Sequence, residues 1–283
     1  MGTLAGNGNR RELEGIFILS LRTRAAVLAL ALVGPVAVTA GPAHAAPAPK
    51  PKPVAAPASD PLVGISNLLA RLLPAPALPG AAPNVVSQVS ASTVKVSGVA
   101  CGYRLQGSGF SPAPDTIVTN AHVVAGTSSN QVLRPDGRTL PASVVAFDPS
   151  RDLALLHVPG LGQPSLGLAS AREGEVDAVF GHPRGRVPLE ISPARVLRKV
   201  TLDFGDIYDQ PTTPRQILVL QSDLEPGDSG APLVNNAGKV VGVAFGVANL
   251  RRSTAFAVAS EELAPVLAQP RTGPVSTGPC LPD

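Results

Sequence analysis

From about residue 84 onward, short runs rich in β-branched residues alternate with Gly, Pro and Asp turns, and this alternation constrains the fold more than any other feature. The runs fall at 92–96, 117–118, 142–145, 153–158, 175–179, 196–200, 217–221, 231–234, 240–245 and 253–258. Short, closely spaced strands with turn signals between them predict an all-β sandwich or barrel. Helical periodicity surfaces only over 261–267, which predicts one short C-terminal helix ended near Pro270. No internal repeat is visible in the sequence.

The first third of the chain has a different texture. Arg22 and Arg24 precede an apolar run from Ala25 to Val33, and Ala43-His44-Ala45 follows. A charged region, an apolar core and a small-x-small site make the pattern of a secretory leader, here expected over 1–45. The stretch ahead of Arg22 is long for such a leader, so the start of translation is open. The alternative is an uncleaved membrane anchor. The run is short for a spanning helix, and Gly34-Pro35 interrupts it, which favours cleavage. Residues 46–83 are rich in Ala and Pro and are expected to form an extended linker. Within them, 62–73 has the spacing of a marginal amphipathic helix.

Charge excludes some partners. The chain carries a formal +3. Residues 1–45 hold four arginines and two glutamates, so the remainder is near neutral at +1. Nothing here argues for nucleic acid or an acidic membrane surface, and membrane contact is expected only if the N-terminal segment is retained. The two cysteines, Cys101 and Cys280, are expected to pair as a disulfide in an exported chain, the alternative being two unrelated buried thiols.

Three separated motifs carry chemistry. Ser229 lies in Glu225-Pro226-Gly227-Asp228-Ser229-Gly230-Ala231-Pro232-Leu233. A serine hydroxyl needs a base to become a nucleophile, and its reaction needs N–H groups aimed at the oxyanion that forms. Flanking glycines permit the tight turn that presents such groups. His122 ends the apolar stretch Ile117-Val118-Thr119-Asn120-Ala121-His122 and suits a general base and later acid. Asp152 opens the strand Leu153-Ala154-Leu155-Leu156 and suits the role of orienting the imidazole. Asp148, four residues earlier and followed by Pro149, has the setting of a turn residue. His44 belongs to the leader, His157 to a strand and His182 to a turn. No clustered spacing suggests a metal site, and neither metal nor organic cofactor is expected. The esterase elbow Gly-x-Ser-x-Gly does not fit, because position 231 is Ala and the order is His…Asp…Ser.

In order and flanks these motifs resemble the trypsin-like (chymotrypsin-fold) serine proteases. Within them, the stretch from about Val94 to Cys280 is similar to the periplasmic protease domain of the MarP-type acid-resistance proteases of mycobacteria. The likeness rests on Gly107-Ser108-Gly109-Phe110, Val118–Gly126, Phe147-Asp148-Pro149, Asp152–Leu156, Asp206-Ile207-Tyr208, Ser222–Ser229, Val241–Gly246 and Thr277-Gly278-Pro279-Cys280. The resemblance implies two six-stranded-type antiparallel β-barrels over 84–283, with His122 and Asp152 from the first and Ser229 from the second. It implies a serine endopeptidase acting on extended polypeptides as a monomer, and a disulfide tying the domain ends. It further implies an oxyanion hole from the Gly227 and Ser229 amides, an edge strand at Ala244, Phe245 and Gly246, and Asp223 near the primary specificity pocket.

Two departures from the family stand out. A counterpart of the membrane-helix bundle that precedes this domain in the family is not expected here. The second glycine of the usual Gly-Asp-Ser-Gly-Gly-Pro motif is Ala231, which would matter if that position needs a positive φ. A chain disabled at this point would be a protease-like binding protein of the cell envelope. Fewer than sixty residues follow Ser229, too few for a PDZ module, which argues against an HtrA-type enzyme.

Overall fold

The computed structural model describes residues 80–281 apart from 204, 213 and 248–252, together with residues 73 and 76. The expected leader, almost all of the linker and all but the last residue of the helix expected over 62–73 lie outside the described residues.

Twelve strands form two closed, antiparallel, six-stranded barrels. The first contains β1 (Thr93–Ala100), β2 (Tyr103–Ala113), β3 (Thr116–Thr119), β4 (Ser129–Leu133), β5 (Thr139–Asp148) and β6 (Leu153–His157). The second contains β7 (Val176–Gly181), β8 (Glu190–Leu202), β9 (Arg215–Gln221), β10 (Pro232–Val234), β11 (Val240–Val247) and β12 (Thr254–Ala259). Both close in the same order, first-second-third-sixth-fifth-fourth. The two halves therefore share a topology that the sequence does not show as a repeat.

Strand periodicity explains how one run serves two cores. Successive side chains point to opposite faces. In β6, Ala154 and Leu156 fill the first barrel, while Leu153 and Leu155 face the core shared by the barrels. In β9, Leu218 and Leu220 fill the second barrel, while Ile217 and Val219 face the shared core. Both strands are buried on two sides, so they appear as continuous apolar runs. Each fully buried Leu or Ile contributes roughly 1.5–3 kcal/mol.

Several elements lie outside the expected pattern. Helix α1 (Pro83–Ser92) precedes β1, with Val89 in the shared core and Val85 and Val86 packed against it. Strands β2 and β4 had no matching apolar run. The expected C-terminal helix begins as a 3-10 turn over Ser260–Glu262 and becomes α-helical only over Leu263–Leu267, here α3. A four-residue helix, α2 (Ala121–Val124), follows β3 and carries His122.

The C-terminal tail returns to the first barrel. Val275 N donates to Val144 O and Gly126 N to Thr277 O, at 2.9 and 3.0 Å. Cys101 and Cys280 are joined, with Cα atoms 6.4 Å apart across a separation of 179 residues. In the chain-entropy model a loop of that length stabilises the fold by about 5 kcal/mol.

Candidate active site

The site lies where connections of the two barrels meet. His122 and Asp152 come from the first barrel, on α2 and on the turn between β5 and β6. Both are buried, at 4% and 2% exposure. His122 Nδ1 stands 2.8 Å from Asp152 Oδ2 and 3.0 Å from Oδ1. The His122 amide also donates to Asp152 Oδ1, at 3.0 Å. With the carboxylate on Nδ1, the tautomer it favours carries its proton there and leaves Nε2 basic.

The local sequence explains how Asp152 arrives. Its φ is +55, in the left-handed region, where Asp and Asn are the commonest residues after Gly. Asp148 Oδ1 accepts the Arg151 amide at 2.9 Å, so Asp148 shapes the turn as its Asp-Pro setting predicts. Asn120 Nδ2 donates to Asp152 O at 2.8 Å, tying the turn to the residue that precedes α2.

Ser229 is half-buried in the loop between β9 and β10. Its carbonyl accepts the Ser108 amide of β2 at 2.7 Å. A side chain on Gly107 would meet both Val123, next to His122, and Ser229 O at 2.9 Å. Gly107 is thus the thin point that lets α2 and the Ser229 loop lie against one strand.

The loop ahead of Ser229 is pinned on both sides of Gly227. Pro226 O accepts the Arg184 amide at 2.5 Å. Gly227 O accepts Ser108 Oγ at 2.8 Å. In a trans peptide the N–H points opposite to the carbonyl, so the first bond turns the Gly227 amide away from Arg184. Gly227 holds φ +99, and a Cβ there would press on His182 O at 2.5 Å. Among the described residues the amides of Gly227 and Ser229 donate to no other group. An oxyanion hole requires unengaged donors of this kind, aimed together at the oxyanion.

Ala231 does not have positive φ; the left-handed glycines of this loop are Gly227 and Gly230. Ala231 is fully buried in the second barrel, and its amide and carbonyl pair with Asp228 O and Ala244 N, both at 2.9 Å. The departure from the glycine motif therefore falls where an L-residue fits without strain.

The remaining expected residues are placed less uniformly. Asp223 is exposed, while Ser222 and Leu224 on either side are buried. The Ala244 amide donates to Ala231 O and its carbonyl accepts the Gly230 amide, Phe245 lies at a register shift between β11 and β12, and Gly246 is opposite Phe256 of β12. Among the described residues no group of His, Cys, Asp and Glu is arranged to hold a metal ion.

Three residues of the site were not singled out from sequence. Ser108 is fully buried; besides its bond to Gly227 O, its Oγ accepts the His182 amide at 2.9 Å. His182, expected to be an ordinary turn residue, is 5% exposed beneath the Gly227 loop, and burial lowers its pKa. Its Nδ1 meets Arg186 O at 2.9 Å. Asp228, next to Ser229, is 4% exposed, and burial pushes its carboxyl up to about 7. Its Oδ2 accepts the Glu225 amide at 3.0 Å. Only the buried environment, which the sequence does not display, distinguishes these groups.

Comparison with known proteins bears on the fold and the family. The family model described as a trypsin-like peptidase domain matches residues 107–243. Taken with the relatives below, this places the chain among the trypsin-like serine peptidases. It is 38% identical over 236 residues to serine protease Rv3671c of Mycobacterium tuberculosis strain H37Rv, covering 78% of this chain and 59% of that relative's length. The crystal structure of the Rv3671c protease in its active form matches with a TM-score of 0.67 at 37% identity, over 74% of this chain and 96% of that one. A probable periplasmic serine endoprotease, DegP-like, of Chlamydia pneumoniae is 32% identical over 146 residues, 49% of this chain and 28% of its own length.

Proposed function

We propose that this chain is a serine endopeptidase in which Ser229 is the nucleophile, His122 the general base and acid, and Asp152 the orienting carboxylate. The observation that carries the reading is the buried His122–Asp152 pair, at 2.8 Å, set against the same strand that holds the Ser229 loop. In the proposed cycle Ser229 Oγ attacks a peptide carbonyl as His122 Nε2 takes its proton. The Gly227 and Ser229 amides receive the oxyanion. The C–N bond then breaks, the proton passes to the leaving amine, and water releases the acyl group by the reverse sequence of roles.

Substrates are proposed to be extended polypeptides, pairing with the edge from Phe245 onward by strand addition. An extracytoplasmic site of action is supported by the leader-like residues 1–45, by the Cys101–Cys280 disulfide and by the periplasmic naming of a relative. The test is hydrolysis of an unfolded protein substrate by the chain from residue 46 onward. Ser229→Ala is expected to remove turnover while shifting stability by less than about 1 kcal/mol, since one small half-exposed hydroxyl is lost. Turnover retained in Ser229→Ala would take Ser229 out of the mechanism.

A further inference from the structure

A buried guanidinium from the second barrel reaches the triad turn of the first. Arg215 opens β9 and is only 5% exposed. Its Nη1 donates to Ser150 O at 2.7 Å and to Gly205 O at 2.9 Å. Ser150 is two residues ahead of Asp152, in the same turn. The connection from β8 to β9 follows the same path, with the Ile207 amide donating to Pro149 O at 3.3 Å. Ile207 then packs with Ala121 and Ala125, on either side of His122, and Tyr208 covers that contact.

The charges around Arg215 are one-sided. Burial lowers its pKa, and four carboxylates oppose that effect, Asp152 first, then Asp203, Glu262 and Asp148. Two of these are already engaged by another cation: Arg151 Nη1 bonds Asp148 Oδ2 at 3.0 Å and Arg151 Nε bonds Glu262 Oε2 at 3.1 Å. Glu262 Oε1 also accepts the Gln216 amide at 2.9 Å, and Asp203 Oδ1 accepts the Gly205 amide at 2.8 Å. Asp152 itself has the His122 ring as its side-chain partner. A carboxylate at 2% exposure is costly without a nearby cation.

We infer that Arg215 is a positioning residue for the triad: it holds the Ser150–Asp152 turn through Ser150 O and places a fixed positive charge behind that turn. The inference rests on the peptidase reading of the site but can be measured without turnover. The probe is the His122–Asp152 pair in the Ser229→Ala chain, titrated by imidazole nitrogen NMR.

The sign follows from charge alone. Removing a cation near a coupled pair makes the pair bind its first proton more tightly, whichever partner carries it. Arg215→Gln keeps a hydrogen-bond donor but not the charge, and is expected to raise the His122 titration midpoint by about half a pH unit or more. Arg215→Lys keeps the charge and is expected to leave the midpoint within about 0.2 units. With Ser229 present, Arg215→Gln is expected to lower kcat about tenfold with KM within about twofold. A folded Arg215→Gln chain at the wild-type midpoint, or equal shifts in both variants, would overturn the inference. Loss of the folded state in both would assign Arg215 to stability alone and overturn it as well. Failure of Ser229 to react at all would instead strike the peptidase reading and leave the midpoints standing.

Discussion

Gly230→Ala is expected to abolish detectable turnover and to destabilise the fold by about 2–5 kcal/mol, combining the cost of a left-handed L-residue with that of an overpacked core. Gly230 holds φ +85 immediately after Ser229. A Cβ there would run into Ser108 O and would come within 2.5 Å of Thr119 Oγ1. Those two atoms are bonded to each other at 2.7 Å, so neither can withdraw without breaking a buried hydrogen bond. The Gly230 amide also donates to Ala244 O at 2.8 Å, which prevents the loop from swinging away. The matched control is Ala231→Gly, which restores the family's usual residue where φ is not positive. It is expected to change kcat/KM by less than about threefold, because no strain is relieved. Urea unfolding and initial rates of the two variants test the pair. A Gly230→Ala chain as stable and active as wild type would show that the loop is not packed as described.

Asp152→Asn is expected to lower kcat by about ten-thousandfold with the fold retained, as the loss of the equivalent carboxylate does in this class of enzyme. Asn is among the residues that tolerate φ +55, so the turn survives the change. The bond from Asn120 Nδ2 to Asp152 O involves only the backbone and also survives. An amide at this position can present its NH2 to Nδ1 and thereby select the wrong imidazole tautomer. It also withdraws the negative charge that stabilises the imidazolium. Single-turnover kinetics on a chromogenic ester separate acylation from binding, and the expected result is a loss confined to acylation with KM changed by less than about threefold. A fall of less than tenfold in kcat would mean that Asp152 does not act on His122.

Much of this architecture was legible because it is written in apolar runs. β6 and β9 are buried on both faces, and their uninterrupted Leu, Ile and Val residues mark them as strands. β2 was not legible for a physical reason. Its middle holds Gly107 and Gly109, and Pro112 follows, which locally suggest a loop. Both glycines stand where a side chain would strike neighbours within 3 Å, Val123 and Ser229 O in one case and Ile117 and Val118 O in the other. Tertiary crowding dictated residues that local propensity disfavours. Strand β4, Ser-Asn-Gln-Val-Leu, is too polar to stand out, since only its second and fourth residues are buried. Helix α1 contains three Val and three Ser residues, weak helix formers, and depends on packing against the shared core.

The candidate site divides along the same line. Ser229, His122 and Asp152 were visible because each sits in a short motif with distinctive neighbours. Arg215 and Ser108 were not, because nothing in Gln-Pro-Thr-Thr-Pro-Arg or Gly-Ser-Gly-Phe reveals burial against a distant turn. The doubt over Ala231 could be resolved only by backbone angles, and these put the left-handed positions at 227 and 230 instead.

The central claim is that Ser229 is a nucleophile activated by His122, and reaction of the chain from residue 46 onward with a fluorophosphonate tests it most directly. The expected result is a single adduct, mapped by mass spectrometry to Ser229, formed in the wild-type chain and lost in His122→Ala. Absence of an adduct on the folded wild-type chain, or an adduct on Ser229 that forms equally fast in His122→Ala, would contradict it.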